Sequence, residues 1–139
     1  MLTNVPLLIV PFIVYNIQVF FNGGVQIWDS QVFSIQLIHG DAWNMKMGDL
    51  MVMLALVLLF FEILKATRVG ASSVIDHLLS TFVFIAYLVE FLVVQHAAHS
   101  VFVILMMIAL VDVLAGFTVS IRSATRDVNV GHGSHYGEF

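Results

Sequence analysis

The stretch DLMVMLALVLLFFEILKA, positions 49–66, decides the class of this protein. It is apolar without a break from Leu50 to Phe61, meets its first internal acid at Glu62 and ends beside Lys65. As a helix rising 1.5 Å per residue it is about 27 Å long, close to the roughly 30 Å of a bilayer's hydrocarbon core. Three other runs have the same texture, at about 5–21, 73–94 and 100–121. The composition agrees with them. Of 139 residues 60% are hydrophobic and only 10% charged, whereas a soluble domain spends roughly 25% charge on its surface. Lipid is therefore the solvent for most of the surface. The expected architecture is an all-α membrane protein, four transmembrane helices in one domain over residues 1–127 with a polar tail at 128–139.

The first run is the least regular, with Pro6 and Pro11 near its start and Asn16 and Gln18 further along. It has no positive n-region and no A-x-A-like site, so it reads as a retained span and not as a cleaved signal. The third run follows Ser72 and Ser73, residues suited to capping a helix N-terminus. Lys65 and Arg68 lie between the second and third runs, and Arg122 and Arg126 follow the fourth, leaving only Lys46 on the other side. Basic residues stay in the cytoplasm, so both termini are expected there and residues 22–48 form a periplasmic loop. Within that loop, 32–37 and 42–47 alternate apolar and polar residues around Ile38-His39-Gly40-Asp41. That pattern predicts a short β-hairpin, pictured over the outer mouth of the bundle. Trp28 and Trp43 suit the headgroup belt. The glycine- and histidine-rich segment 131–137 is expected to have no structure of its own.

The chain has no cysteine, which removes disulfides, thiolate metal sites and cysteine nucleophiles. A net charge of -4 offers no basic stripe for nucleic acid. No nucleotide-binding, hydrolase or zinc-protease motif occurs, so neither an enzyme nor a cofactor is expected. Histidines do not face one another on different spans at one depth, as a buried haem would need. The informative residues are polar groups inside the runs, because an acid at mid-bilayer costs about 2.5–3.5 kcal/mol unless it faces protein or water. Asp112 is the deepest. Tyr15 and Asn16 are expected at a similar depth, with Ser80 and Thr81 slightly shallower, as its hydrogen-bond partners. Asp76, Ser80, Tyr87 and Glu90 recur at helical spacing and so share a face of the third helix. Ala109, Gly116 and Ser120 give the fourth helix a small-residue face for close approach.

This set has two readings. In one, Glu62 pairs with Lys65 or Arg68, and Asp112 is a buried hydrogen-bonded register device. In the other, Glu62, Asp76, Asp112 and Glu90 form a carboxyl ladder for protons or cations in an oligomer. A third possibility is metal binding on the periplasmic side by His39, Asp41, His96 and His99, three nitrogens and an oxygen.

GDLMVMLALVLLFFEILKATR (48–68) and LVDVLAGFTVSIRSATRD (110–127) resemble segments of small four-helix inner-membrane proteins of proteobacteria, a group without an assigned activity. The resemblance implies four helices in a bacterial inner membrane and brings no site residues. The leading expectation is a non-catalytic structural or accessory subunit of a larger inner-membrane complex. Its partners would be the lipid bilayer and other membrane subunits or further copies of itself.

Overall fold

The computed structural model describes residues 4–68 and 71–132. Their elements run α1 (Ile9–Phe21), a 3-10 turn (Val25–Asp29), β1 (Gln31–Gln36), β2 (Ala42–Lys46), α2 (Met47–Ala66), α3 (Ala71–Val93), a second 3-10 turn (Gln95–Ala97) and α4 (Ser100–His132). Among the described residues, three helices are long and apolar enough to cross a membrane: Met47–Ala66, Val74–Val93 and Ser100–Arg122. α1, at 13 residues, is shorter. Helix α4 is the central element, packed on both α2 and α3, and α1 adds contacts to α2 and α4.

The start of α1 is set by its prolines. Ile9 N–H bonds the Pro6 carbonyl at 3.2 Å and Val10 N–H the Leu7 carbonyl at 3.0 Å, a tight opening turn. Pro11 falls in the first helical turn, where an N–H would have no intrahelical partner, so its missing donor costs nothing. Helix α2 opens where the hairpin ends. The Asp49 carboxylate accepts the Lys46 N–H at 3.0 Å, placing a negative charge on the helix N-terminus. One residue earlier, Gly48 lets two elements meet: a Cβ there would lie 2.7 Å from Val101 Cγ2 and 3.1 Å from the Trp28 carbonyl oxygen.

The hairpin forms as predicted, antiparallel, with Phe33 opposite Met45 and Ile35 opposite Trp43. Its turn is closed by Leu37 N–H to Asp41 C=O at 2.9 Å, and Gly40 supplies the φ of +101° that a side chain would resist. It does not lie over the bundle. Every β1 residue is exposed, and only Met45 of β2 is buried. Trp28 departs from expectation in the opposite sense. It is 1% exposed, stacked on Tyr15 with ring centres 5.0 Å apart, at the outer end of a core that includes Tyr87, Phe102 and Leu105. The folded-back 3-10 turn places it there, and no hydrophobic period announces so short a turn.

Helix α3 begins at Ala71, ahead of the two serines expected to cap it; the side chains of Ser72 and Ser73 lie outside the described residues. Helix α4 continues well past the apolar stretch, through Asp127 to His132, so the first part of the expected tail is helical. The remainder of that tail, from 133, lies outside the described residues.

Candidate functional site

The polar side chains inside the helices fall into two groups separated by an aromatic layer. The inner group surrounds Glu62, 4% exposed on α2. Helix α1 has no side-chain cap and no acid in its first turn. Glu62 supplies both from another helix, accepting the Leu7 N–H on Oε1. Lys65 completes the clamp, its Nζ lying 3.2 Å from the same oxygen and donating to the Val5 carbonyl at 2.9 Å. A buried carboxylate is thereby paired, and a bare helix N-terminus is satisfied by an anion.

Asp112, 5% exposed on α4, hydrogen-bonds Ser80 of α3 and lies within electrostatic reach of Glu62 and Lys65. The inner group thus joins α1, α2, α3 and α4. One turn along α3 from Ser80, the buried His77 places Nε2 2.5 Å from Ser120 Oγ on α4. Its ring lies against Gly116, where any Cβ would collide with it, and stacks near Phe117 at 5.9 Å. The small-residue face of α4 is therefore occupied by an imidazole, not by a bare helix backbone. The sequence signal that could have found it is a lone histidine within an apolar run, one turn from Ser80. Asp76, on the same face, has a buried Oδ1 with no hydrogen-bond partner among the described residues.

The outer group ties the other end of α1. Asn16 Nδ2 donates to Glu90 Oε2 at 3.1 Å and to the Phe12 carbonyl at 3.0 Å. The Tyr15 hydroxyl donates to the His96 carbonyl at 2.7 Å. Neither Tyr15 nor Asn16 reaches Asp112, contrary to expectation. Leu7 already stands level with Glu62, which Asp112 also neighbours, so Tyr15 and Asn16, eight and nine residues further along, lie about 12 Å or more beyond that level.

Between the groups, Phe12 lies 4.8 Å from Tyr87 and 6.4 Å from Phe102, and Tyr87 lies 5.4 Å from Phe102. The Tyr87 hydroxyl is committed to the Leu8 carbonyl at 3.1 Å. Ser80 and Glu90 are ten residues apart on one helix, about 15 Å along its axis. A proton moves between groups in hydrogen-bond contact, about 2.6–3.2 Å apart or through one water. The four carboxyls thus stand as an inner set and an outer one, with aromatic packing between them.

The histidines of the hairpin turn and of the connection between α3 and α4 do not converge. His39 sits with Asp41 at the exposed hairpin turn, 3.4 Å apart. His99 pairs instead with Asp29 at 3.8 Å and accepts the Val101 N–H on Nδ1 at 3.2 Å, at the start of α4. Asp29 also faces Lys46 at 3.9 Å, and the His96 ring packs on Phe20 at 5.6 Å. Among the described residues no three His, Asp or Glu side chains come together as a metal would require. Comparison with protein-family models, curated proteins and solved structures finds no match to this chain.

Proposed function

We propose that the protein is a non-catalytic structural or accessory subunit of a larger complex in a bacterial inner membrane, crossing it four times with both termini in the cytoplasm. The four-span reading draws support from the placement of α1. Leu7 meets Glu62, four residues from the end of α2, while Trp28, stacked on Tyr15, meets Gly48 at its beginning. The 13 residues of α1 rise about 20 Å from close to the level of Glu62. The orientation rests on Lys65, Arg68 and Arg122 at one end against Lys46 at the other.

The observation that carries the subunit role is how the intramembrane polar groups are used. Glu62 caps α1, Asn16 engages Glu90, Tyr15 and Tyr87 hold backbone carbonyls, and His77 ties α3 to α4. These are ties between helices. The test is mild extraction from native membranes, then native mass determination and identification of whatever co-migrates. A reproducible stoichiometric partner is expected. A homogeneous particle containing this chain alone would overturn the role.

A second reading, an oligomeric proton or cation conductor, is favoured by one feature, the buried Asp112 beside Glu62 with the unpartnered Asp76 oxygen on the adjoining helix. In proteoliposomes under a pH gradient it requires flux that Asp112→Asn abolishes. No flux in the unaltered protein, or unchanged flux in the variant, removes it.

A further inference from the structure

The β1–β2 hairpin has two unlike faces. Phe33, Ile35, Trp43 and Met45 share one, since Phe33 stands opposite Met45 and Ile35 opposite Trp43, with Phe33 and Trp43 in edge contact at 6.4 Å. Ser34, Gln36 and Asn44 share the other. Only Met45 of the apolar face is covered by the protein; Phe33, Ile35 and Trp43 remain exposed, and Ile38 at the tip is fully so. A two-stranded hairpin in water is marginal by itself, and its open edges are usually guarded by charges. Between Gln31 and Gln36, and between Ala42 and Asn44, there are none.

We infer that this apolar face docks on the outer surface of the bilayer, with Trp43 and the tip residues Leu37 and Ile38 in the headgroup and upper acyl region. Two features select lipid over a protein partner. The hairpin is continuous with a membrane span: β2 ends at Lys46 and α2 begins at Met47, so its root is held where α2 enters the bilayer. The buried Met45 also determines which way the hairpin faces. At the root, the apolar side turns toward the helical body, and β2 packs on α2. Further out, the same side is left uncovered by the protein at Trp43, Ile35 and Phe33. An indole with one donor, uncharged polar residues on the opposite face, and a tip where Leu37 and Ile38 adjoin the exposed His39–Asp41 pair match the interfacial layer, which takes apolar and polar groups side by side.

The inference rests on the membrane placement above but not on the subunit role. The absence of cysteine in the chain provides the test. Single variants Ile38→Cys, Asn44→Cys and Val57→Cys, each carrying an environment-sensitive fluorophore, are reconstituted full length into phosphatidylethanolamine–phosphatidylglycerol vesicles. Each is exposed to spin-labelled lipid or to iodide on both sides, and an unchanged far-ultraviolet circular dichroism spectrum and unchanged thermal unfolding certify the fold. Val57, exposed on α2, reports the span itself. Expected is several-fold stronger quenching by shallow spin-labelled lipid at 38 than at 44, with iodide showing the reverse order. Equal iodide access at 38 and 44 overturns the docking. So does a probe at 38 shielded from both quenchers, or a disulfide-linked dimer of the unlabelled Ile38→Cys variant, because a protein then covers the face. Loss of lipid quenching at 57 as well would indict the membrane placement and not the hairpin.

Discussion

Removing the Glu62 carboxylate should loosen α1 from the rest of the helices, and the structure sets the size of the effect. In Glu62→Ala the Leu7 N–H loses its acceptor and Lys65 its counter-ion, both in a site where Glu62 is 4% exposed. Breaking a buried pair by deleting one partner costs about 3–5 kcal/mol. Two features reduce this here. Lys65 keeps the Val5 carbonyl and lies close to the end of α2, where a long side chain can reach water. Asp112 is also relieved of a like charge. The expected loss for the alanine variant is therefore near the lower bound, about 3 kcal/mol. Glu62→Gln keeps an acceptor for Leu7 but gives up the charge assistance, a loss of about 1–2 kcal/mol. Reversible SDS titration in mixed micelles, followed by Trp28 emission in a Trp43→Phe background, measures both. Trp28 is a fitting reporter because it stacks on Tyr15 of α1. Amide exchange adds a local readout, with faster exchange expected for the opening turn of α1 while the middle of α4 stays protected. An alanine variant within about 0.5 kcal/mol of the unaltered protein, the range of ordinary surface changes, with α1 exchange unmoved, would refute the cross-helix cap.

Other expectations follow from the same contacts. Gly48→Ala forces a Cβ to within 2.7 Å of Val101 Cγ2, so overpacking should cost about 1–3 kcal/mol in the same titration. Trp28→Ala and Trp43→Ala, with the SDS titration followed by circular dichroism, should differ sharply: the buried indole costs about 3–5 kcal/mol, whereas the exposed hairpin indole leaves bundle stability within about 0.5 kcal/mol. Tyr87→Phe removes one hydrogen bond to the Leu8 carbonyl and keeps the ring, a loss of about 0.5–1.5 kcal/mol. Gly116→Val should push His77 away from α4 and separate it from Ser120, read as a change in the His77 ring resonances and in disulfide crosslinking between cysteines introduced on α3 and α4.

The sequence alone determined the elements with a local cause. Uninterrupted apolar length located the three long helices, and alternation around a glycine turn located the hairpin, because hydropathy and period are properties of neighbouring residues. It also marked Glu62, Asp112, Ser80, Tyr87, Glu90, Tyr15 and Asn16 as residues that need protein around them, since an unpaired polar group in lipid is costly wherever it points. Pairing was decided only by tertiary structure. The bonds that matter join residues 55, 74, 79 and 81 positions apart, and no local pattern encodes which of several polar groups at one depth will meet. Because Leu7 meets Glu62, which Asp112 also neighbours, Tyr15 and Asn16 fall eight and nine residues past that level and meet His96 and Glu90 instead. The same holds for the two tryptophans, alike as amphipathic rings in one loop. The 3-10 turn folds Trp28 into the core while the strand leaves Trp43 outside, and chain direction, not side-chain chemistry, separates them.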